Sequence, residues 1–164
     1  MTPDTDPHRS AGPATHHPSP IRHTATLRWL PLVLIGGAAG TAARASLENW
    51  LPPSASGVPW TTLTINLTGS FILGLLLETL SRAGADRGVL RGARLTVGTG
   101  FLGGFTTYST FVVETADRLR GGNGLVAVAY LVVSVVACLA AAALGISIAA
   151  RLHRGRQSHR GGMT

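Results

Sequence analysis

The sequence predicts an all-α membrane protein of four transmembrane helices, the third of them broken. Three observations carry that expectation. The chain of 164 residues is 45% hydrophobic and only 13% charged, where a soluble domain carries roughly 25% charged residues. Its charges are gathered into short stretches separated by long uncharged ones. One uncharged stretch is crowded with glycine and threonine, a composition that weakens a helix.

A spanning helix needs about 20 mostly apolar residues at about 1.5 Å of rise each. Residues 29–43 carry no charge, and a first span near 28–50 follows if Arg44 snorkels toward an interface. A cleaved leader would also show an apolar stretch after Arg28. This one starts late, holds Gly36, Gly37 and Gly40, and precedes three further spans, so a retained helix is the better reading. Residues 49–77 are uncharged, and after the loop LPPSASGVP they place a second span near 60–81. Residues 95–113 are apolar but rich in Gly and Thr, which gives a third span near 92–115. Residues 121–150, with LVAVAYLVVSVVACLAAAALGISIAA, give a fourth near 124–150. Residues 1–27 are rich in Pro, His, Ser and Thr and read as a disordered tail. Its His8, His16, His17 and His23 have neither fixed spacing nor an acidic partner, so they do not read as a metal site. Residues 151–164 read as a short, basic, disordered tail that anchors on anionic lipid.

The net charge of +7 first suggests a nucleic-acid partner. Aromatic residues at 5% leave few stacking platforms, and the positions of the charges point elsewhere. Four spans put both tails on one side with the loop 82–94. That side carries Arg9, Arg22, Arg28, Arg82, Arg87, Arg91, Arg94, Arg151, Arg154, Arg156 and Arg160. The opposite loops carry Arg118 and Arg120. The positive-inside rule then sets both termini in the cytoplasm and makes nucleic acid an unneeded partner. A lone Cys138 excludes an intrachain disulfide and a cysteine-built zinc cluster. No nucleophile–base pair, metal spacing or phosphate loop argues for an enzyme.

The third span holds Gly98, Gly100, Gly103 and Gly104. Each costs ~1 kcal/mol against Ala inside a helix, so the cluster predicts a break. Irregular backbone at membrane depth is tolerated only inside protein or beside a water-filled cavity, and its freed carbonyls and amides make a place for ions. Close helix packing is the competing use of the same glycines, since Gly100 and Gly104 form a GxxxG pair. Asn66, Ser70 and Gly74 share a face of the second span, where an amide needs an interhelical partner or a pore. Tyr130, Ser134 and Cys138 form a polar stripe on the fourth, although a lone Ser or Cys also bonds a carbonyl one turn back. The interior away from helix ends has no Asp, Glu or His. Neutral donors, with the positive ring edges of Tyr108 and Phe111, suit an anion or polar solute without proton coupling.

The segments GGAAGTAAR (36–44), TLTINLTGSFILG (62–74) and GTGFLGGFTTYSTFVVE (98–114) resemble the Fluc (CrcB-like) fluoride channels over about residues 30–150. The resemblance implies an antiparallel, dual-topology-type dimer with two pores in the cell membrane. It would pass fluoride passively out of the cytoplasm and reject chloride. It implies a fluoride pathway of Asn66, Tyr108, Thr110, Phe111, Tyr130 and Ser134, with Arg44 drawing the anion to a vestibule. It implies a structural sodium on the backbone carbonyls of Gly103 and Thr106. Glu114 matches a frequent acidic residue whose role stays open. Tyr108 stands where Phe is usual, and Cys138 where Ser is frequent. The skewed arginine count favours one direction of insertion, hence a heterodimer with a homologous subunit of opposite bias over a homodimer. A non-conducting or half-active partner subunit is the alternative. A proton-coupled exporter would need a membrane-embedded Glu in the first span, whereas Glu48 lies at the span end.

Overall fold

The computed structural model describes residues 27–51 and 59–161, so the N-terminal tail with its histidines lies outside the described residues. Helix α1 (Leu30–Trp50) opens with Pro31, whose missing N–H costs nothing in a first turn. Helix α2 (Trp60–Ala83) follows Pro59 and stops at Gly84, whose φ of 142° lies where side chains are strained. Then come α3 (Gly88–Ala93), a π-helical stretch (Arg94–Leu102) and the single turn α4 (Gly103–Phe105). Helix α5 (Ser109–Arg120) ends at a glycine turn where Gly122 has φ 78°. Helix α6 (Gly124–Gly161) closes the chain.

All regular structure among the described residues is helical. Three segments are long and apolar enough to cross a membrane: Leu30–Trp50, Trp60–Ala83 and Gly124–Gly155. Leu34, Ile35, Val128 and Leu139 are exposed on them, as lipid-facing side chains would be. Helix α6 does not stop at 150 but runs through Gly161, where composition suggested an unstructured tail. No proline interrupts residues 151–161.

The glycine cluster behaves differently from its composition. Gly98, Gly100, Gly103 and Gly104 all stay within helical turns, and the non-helical residues are Thr106 and Thr107, with Tyr108 at the start of α5. The glycines are spent on close approach instead. A Cβ on Gly36 would overlap the carbonyl of Thr96, one on Gly40 that of Phe101, one on Gly100 that of Val33, and one on Gly104 that of Gly37. Helix α1 and the π-helical stretch thus pack backbone to backbone and run parallel, 36 to 40 beside 96 to 105. A second seam joins α2 to α6, with Gly74 on the Ala142 carbonyl and Gly145 on that of Phe71. These two also run parallel, because Thr62 and Tyr130 meet at one end and Gly74 and Ala142 further along. Helix α5 packs on α6 and turns its Phe111 and Thr115 inward.

Candidate functional site

Helix α4 ends because Thr106 turns to an extended conformation, φ −75° and ψ 155°. In an unbroken helix the N–H of Thr107 would reach the carbonyl of Gly103. Here it donates to Asn66 Oδ1 at 2.8 Å, and the Asn66 amide donates back to the Thr107 carbonyl at 2.9 Å. One side-chain amide therefore answers both backbone groups of Thr107, as a neighbouring peptide would. The Thr107 hydroxyl starts the next helix. It accepts the Thr110 N–H at 3.2 Å, the task of an N-cap, and donates to Thr110 Oγ1 at 3.0 Å.

One turn before Asn66, Thr62 reaches the same region. Its hydroxyl donates to Glu114 Oε1 at 2.6 Å, while the Tyr130 hydroxyl donates to Glu114 Oε2 at 3.1 Å. Both carboxylate oxygens are thereby held, one from α2 and one from α6. The Arg118 guanidinium lies 5.2 Å from the centre of the Tyr130 ring and donates to the Glu114 carbonyl at 2.7 Å. Aromatic rings continue the corner: Tyr130 to Phe111 at 5.3 Å between centroids, and Phe111 to Tyr108 at 6.5 Å, both tilted.

Beside this corner a cavity of about 720 Å³ opens between α2, the π-helical stretch, α5 and α6. Asn66, Tyr108, Phe111 and Ser134 converge on it, with Gly103 and Thr106 at its edge. Phe111 is 8% exposed and Tyr108 79%. Ser134 is 6% exposed, its hydroxyl is buried with no partner within hydrogen-bond length, and the Tyr130 hydroxyl one turn back is its neighbour. A buried hydroxyl left without a partner costs about 1–3 kcal/mol. Cys138 lines the cavity one turn further on. The other expected residues stand apart from its wall. Tyr130 packs behind Phe111, and Thr110 bonds Thr107. Arg44 pairs with Glu48 at 3.2 Å and points its Nε at the Gly104 carbonyl at 3.4 Å.

Sequence reasoning passed over Thr62 and left Glu114 without a role. Thr62 carried a signal, for it shares the face of Asn66 and Ser70 at helical spacing. Glu114 carried one too, as the lone acid closing an otherwise neutral motif.

Comparison with known proteins follows the same residues. A model of the family described as CrcB-like protein, Camphor Resistance (CrcB), matches residues 31–146. The chain is 53% identical over 106 residues to "Fluoride-specific ion channel FluC 1" of Cutibacterium acnes, covering 65% of this chain and 74% of that one. It is 45% identical over 128 residues to "Fluoride-specific ion channel FluC 2" of Leifsonia xyli, covering 76% and 88%. With "Fluoride-specific ion channel FluC 1" of Streptomyces coelicolor it shares 35% identity over 154 residues, 89% of this chain and 98% of the relative. These relatives are named as channels, not enzymes. The match spans most of the chain, including both glycine seams and the Asn66–Thr107 corner, so this multi-pass membrane protein belongs to the CrcB-like family.

Proposed function

We propose that the protein is a fluoride-selective channel subunit that passively exports fluoride across the cell membrane and so lowers its toxic concentration in the cytoplasm. The observation that carries the reading is the unbonded Ser134 hydroxyl, buried in a cavity wall shared with Asn66 and the Phe111 ring. Fluoride is small and tightly hydrated. A path that passes it must replace water with short donor contacts yet not trap it with full charge. Hydroxyls, an amide and ring edges meet both demands. Thr110, Tyr130 and Glu114 support that wall from behind by fixing Thr107 and Phe111.

The directions of the helices support a fourth crossing. Helices α2 and α6 are parallel, which supports a return across the membrane between Ala83 and Gly124. That return is the interrupted segment from Gly88 to Arg120. Four crossings with arginine gathered at one side support cytoplasmic termini and contact with anionic lipid. The same bias supports an antiparallel dimer with a homologous subunit inserted the other way, a heterodimer in preference to a homodimer.

The residues around the interruption fit a structural sodium. Asn66 takes the N–H that would have capped the Gly103 carbonyl, and the extended Thr106 turns its own carbonyl out of the helix line. A Cβ on Gly103 would meet nothing within 4 Å, so its backbone is open to approach. Among the described residues no group of three His, Cys, Asp or Glu could hold a metal. Neutral carbonyls suit a monovalent ion. When bound, sodium supplies a fixed positive charge beside the anion path.

The test is flux from liposomes holding the purified full-length protein with its partner subunit. Fluoride gradients should collapse fast and chloride gradients slowly; equal rates reject selectivity. Asn66→Asp puts a like charge beside the path and removes the donor to the Thr107 carbonyl. Fluoride flux should fall about tenfold, the equivalent of one lost hydrogen bond of ~1.4 kcal/mol. Unchanged flux removes Asn66 from the pathway.

A further inference from the structure

We infer that Arg94 is the residue that gathers fluoride at the mouth of the cavity and sets the rate of entry, a role that rests on the channel reading above. Among the described residues lining the cavity it is the sole charged one. The neutral wall of Asn66, Phe111 and Ser134 lies toward one end. Gly98 packs on Leu73 and Leu76, which sets Arg94, one turn earlier, toward the Leu77 end, and the eleven steps along α2 from Asn66 to Leu77 give a separation of about 16 Å.

The state of the guanidinium fits attraction better than structural pairing. Its Nε is buried and has no hydrogen-bond partner. Its Nη1 lies 3.6 Å from Asp86 Oδ2, beyond hydrogen-bond length, and the two side chains are 35% and 44% exposed. Such a half-exposed pair holds the guanidinium loosely, and Asp86 offsets part of its field without fixing its place. The surroundings have the same sign. Between residues 78 and 94 stand four arginines against Glu78 and Asp86, and Glu78 is taken by Arg82. Arg44, the residue that sequence resemblance offered for this role, has its charge matched by Glu48 and does not line the cavity.

A positive group at a cleft with apolar walls focuses field lines and raises the local anion concentration. The division of labour is then clear. Arg94 draws the hydrated ion in by charge, and the neutral donors about 16 Å further on strip its water without holding it.

The experiment measures fluoride efflux from liposomes at fluoride far below saturation, with a large impermeant anion setting ionic strength. Wild type, reconstituted with its partner subunit, is compared with Arg94→Gln, Arg94→Lys and Asp86→Asn in the same pairing, each first checked for a wild-type elution profile. At low ionic strength Arg94→Gln should lose about fivefold in flux, the worth of one charge a few ångströms from the ion in water. Arg94→Lys should keep wild-type flux, and Asp86→Asn should exceed it. At 1 M salt, where the screening length is about 3 Å, all four should converge. Wild-type flux in Arg94→Gln at low salt overturns the inference. So does an equal loss in Gln and Lys variants that salt does not erase, since that reads shape, not charge. If Arg94→Gln fails to fold, Asp86→Asn decides, and flux no higher than wild type at low salt overturns the inference. A wild-type protein that passes no fluoride overturns the channel reading itself, and this inference with it.

Discussion

The glycine seams and the polar corner solve opposite problems with opposite chemistry. At the seams, Gly36, Gly40, Gly100 and Gly104 on one side and Gly74 and Gly145 on the other let backbones touch because nothing projects. At the corner, Asn66, Thr107, Thr62, Glu114 and Tyr130 hold separate segments together because each side chain projects and finds a partner. The seams fix distance and tolerate no added atom. The corner fixes direction and tolerates no missing one. Helix association in lipid lacks a hydrophobic drive between helices, so it rests on such contact and hydrogen bonding. Here the two sources occupy different places.

The largest expected effect breaks a seam. Gly104→Val drives a side chain into the Gly37 carbonyl and Thr41 Oγ1, and overpacking of that kind costs about 3 kcal/mol. Most of the variant should be lost as aggregate on size-exclusion chromatography. Gly155→Ala, where a Cβ meets nothing, should elute as wild type and melt slightly higher. A middle effect comes from the corner. Glu114→Ala strands the hydroxyls of Thr62 and Tyr130, at about 1–3 kcal/mol for each group left buried and unpaired. The protein should fold with a lowered melting temperature and a fluoride flux reduced by about tenfold or more. Glu114→Gln should recover most of the stability. The smallest effect sharpens the line between the two regions. Cys138 lines the cavity below Ser134 and belongs to neither seam. Cys138→Ser should change melting little, while a small charged thiol reagent should slow flux in wild type and leave Cys138→Ser untouched.

The chain's helices were legible where composition is decisive. Uncharged gaps located Leu30–Trp50, Trp60–Ala83 and the apolar part of α6 within a few residues. The glycine cluster was legible as special, and the Gly100–Gly104 pair already named close packing as one use, but the facing glycines were not legible. Propensity counts what each Gly costs in isolation, and cannot tell that Gly36 and Gly40 wait opposite to accept the approach. Asn66 was legible as a polar residue needing a partner. Its partner, the Thr107 backbone, lies 41 residues away, and only the packing of α2 against the interruption chooses it. The Thr62–Glu114 bond spans 52 residues and was hidden for the same reason. The helical end at 151–161 was missed because tail-like composition says little where a preceding helix already supplies the nucleus.

The Asn66–Thr107 clamp also imposes an order on assembly. Asn66 is synthesised 41 residues before Thr107, inside a helix long and apolar enough to cross a membrane. The segment that carries Thr107 is not among those that meet that standard. It arrives late, with unsatisfied backbone at its middle, and meets an amide already waiting at the right depth. The earlier helix thus acts as a template for the later one, and a chain that lost Asn66 would be impaired while it is being built, before any ion is offered to it.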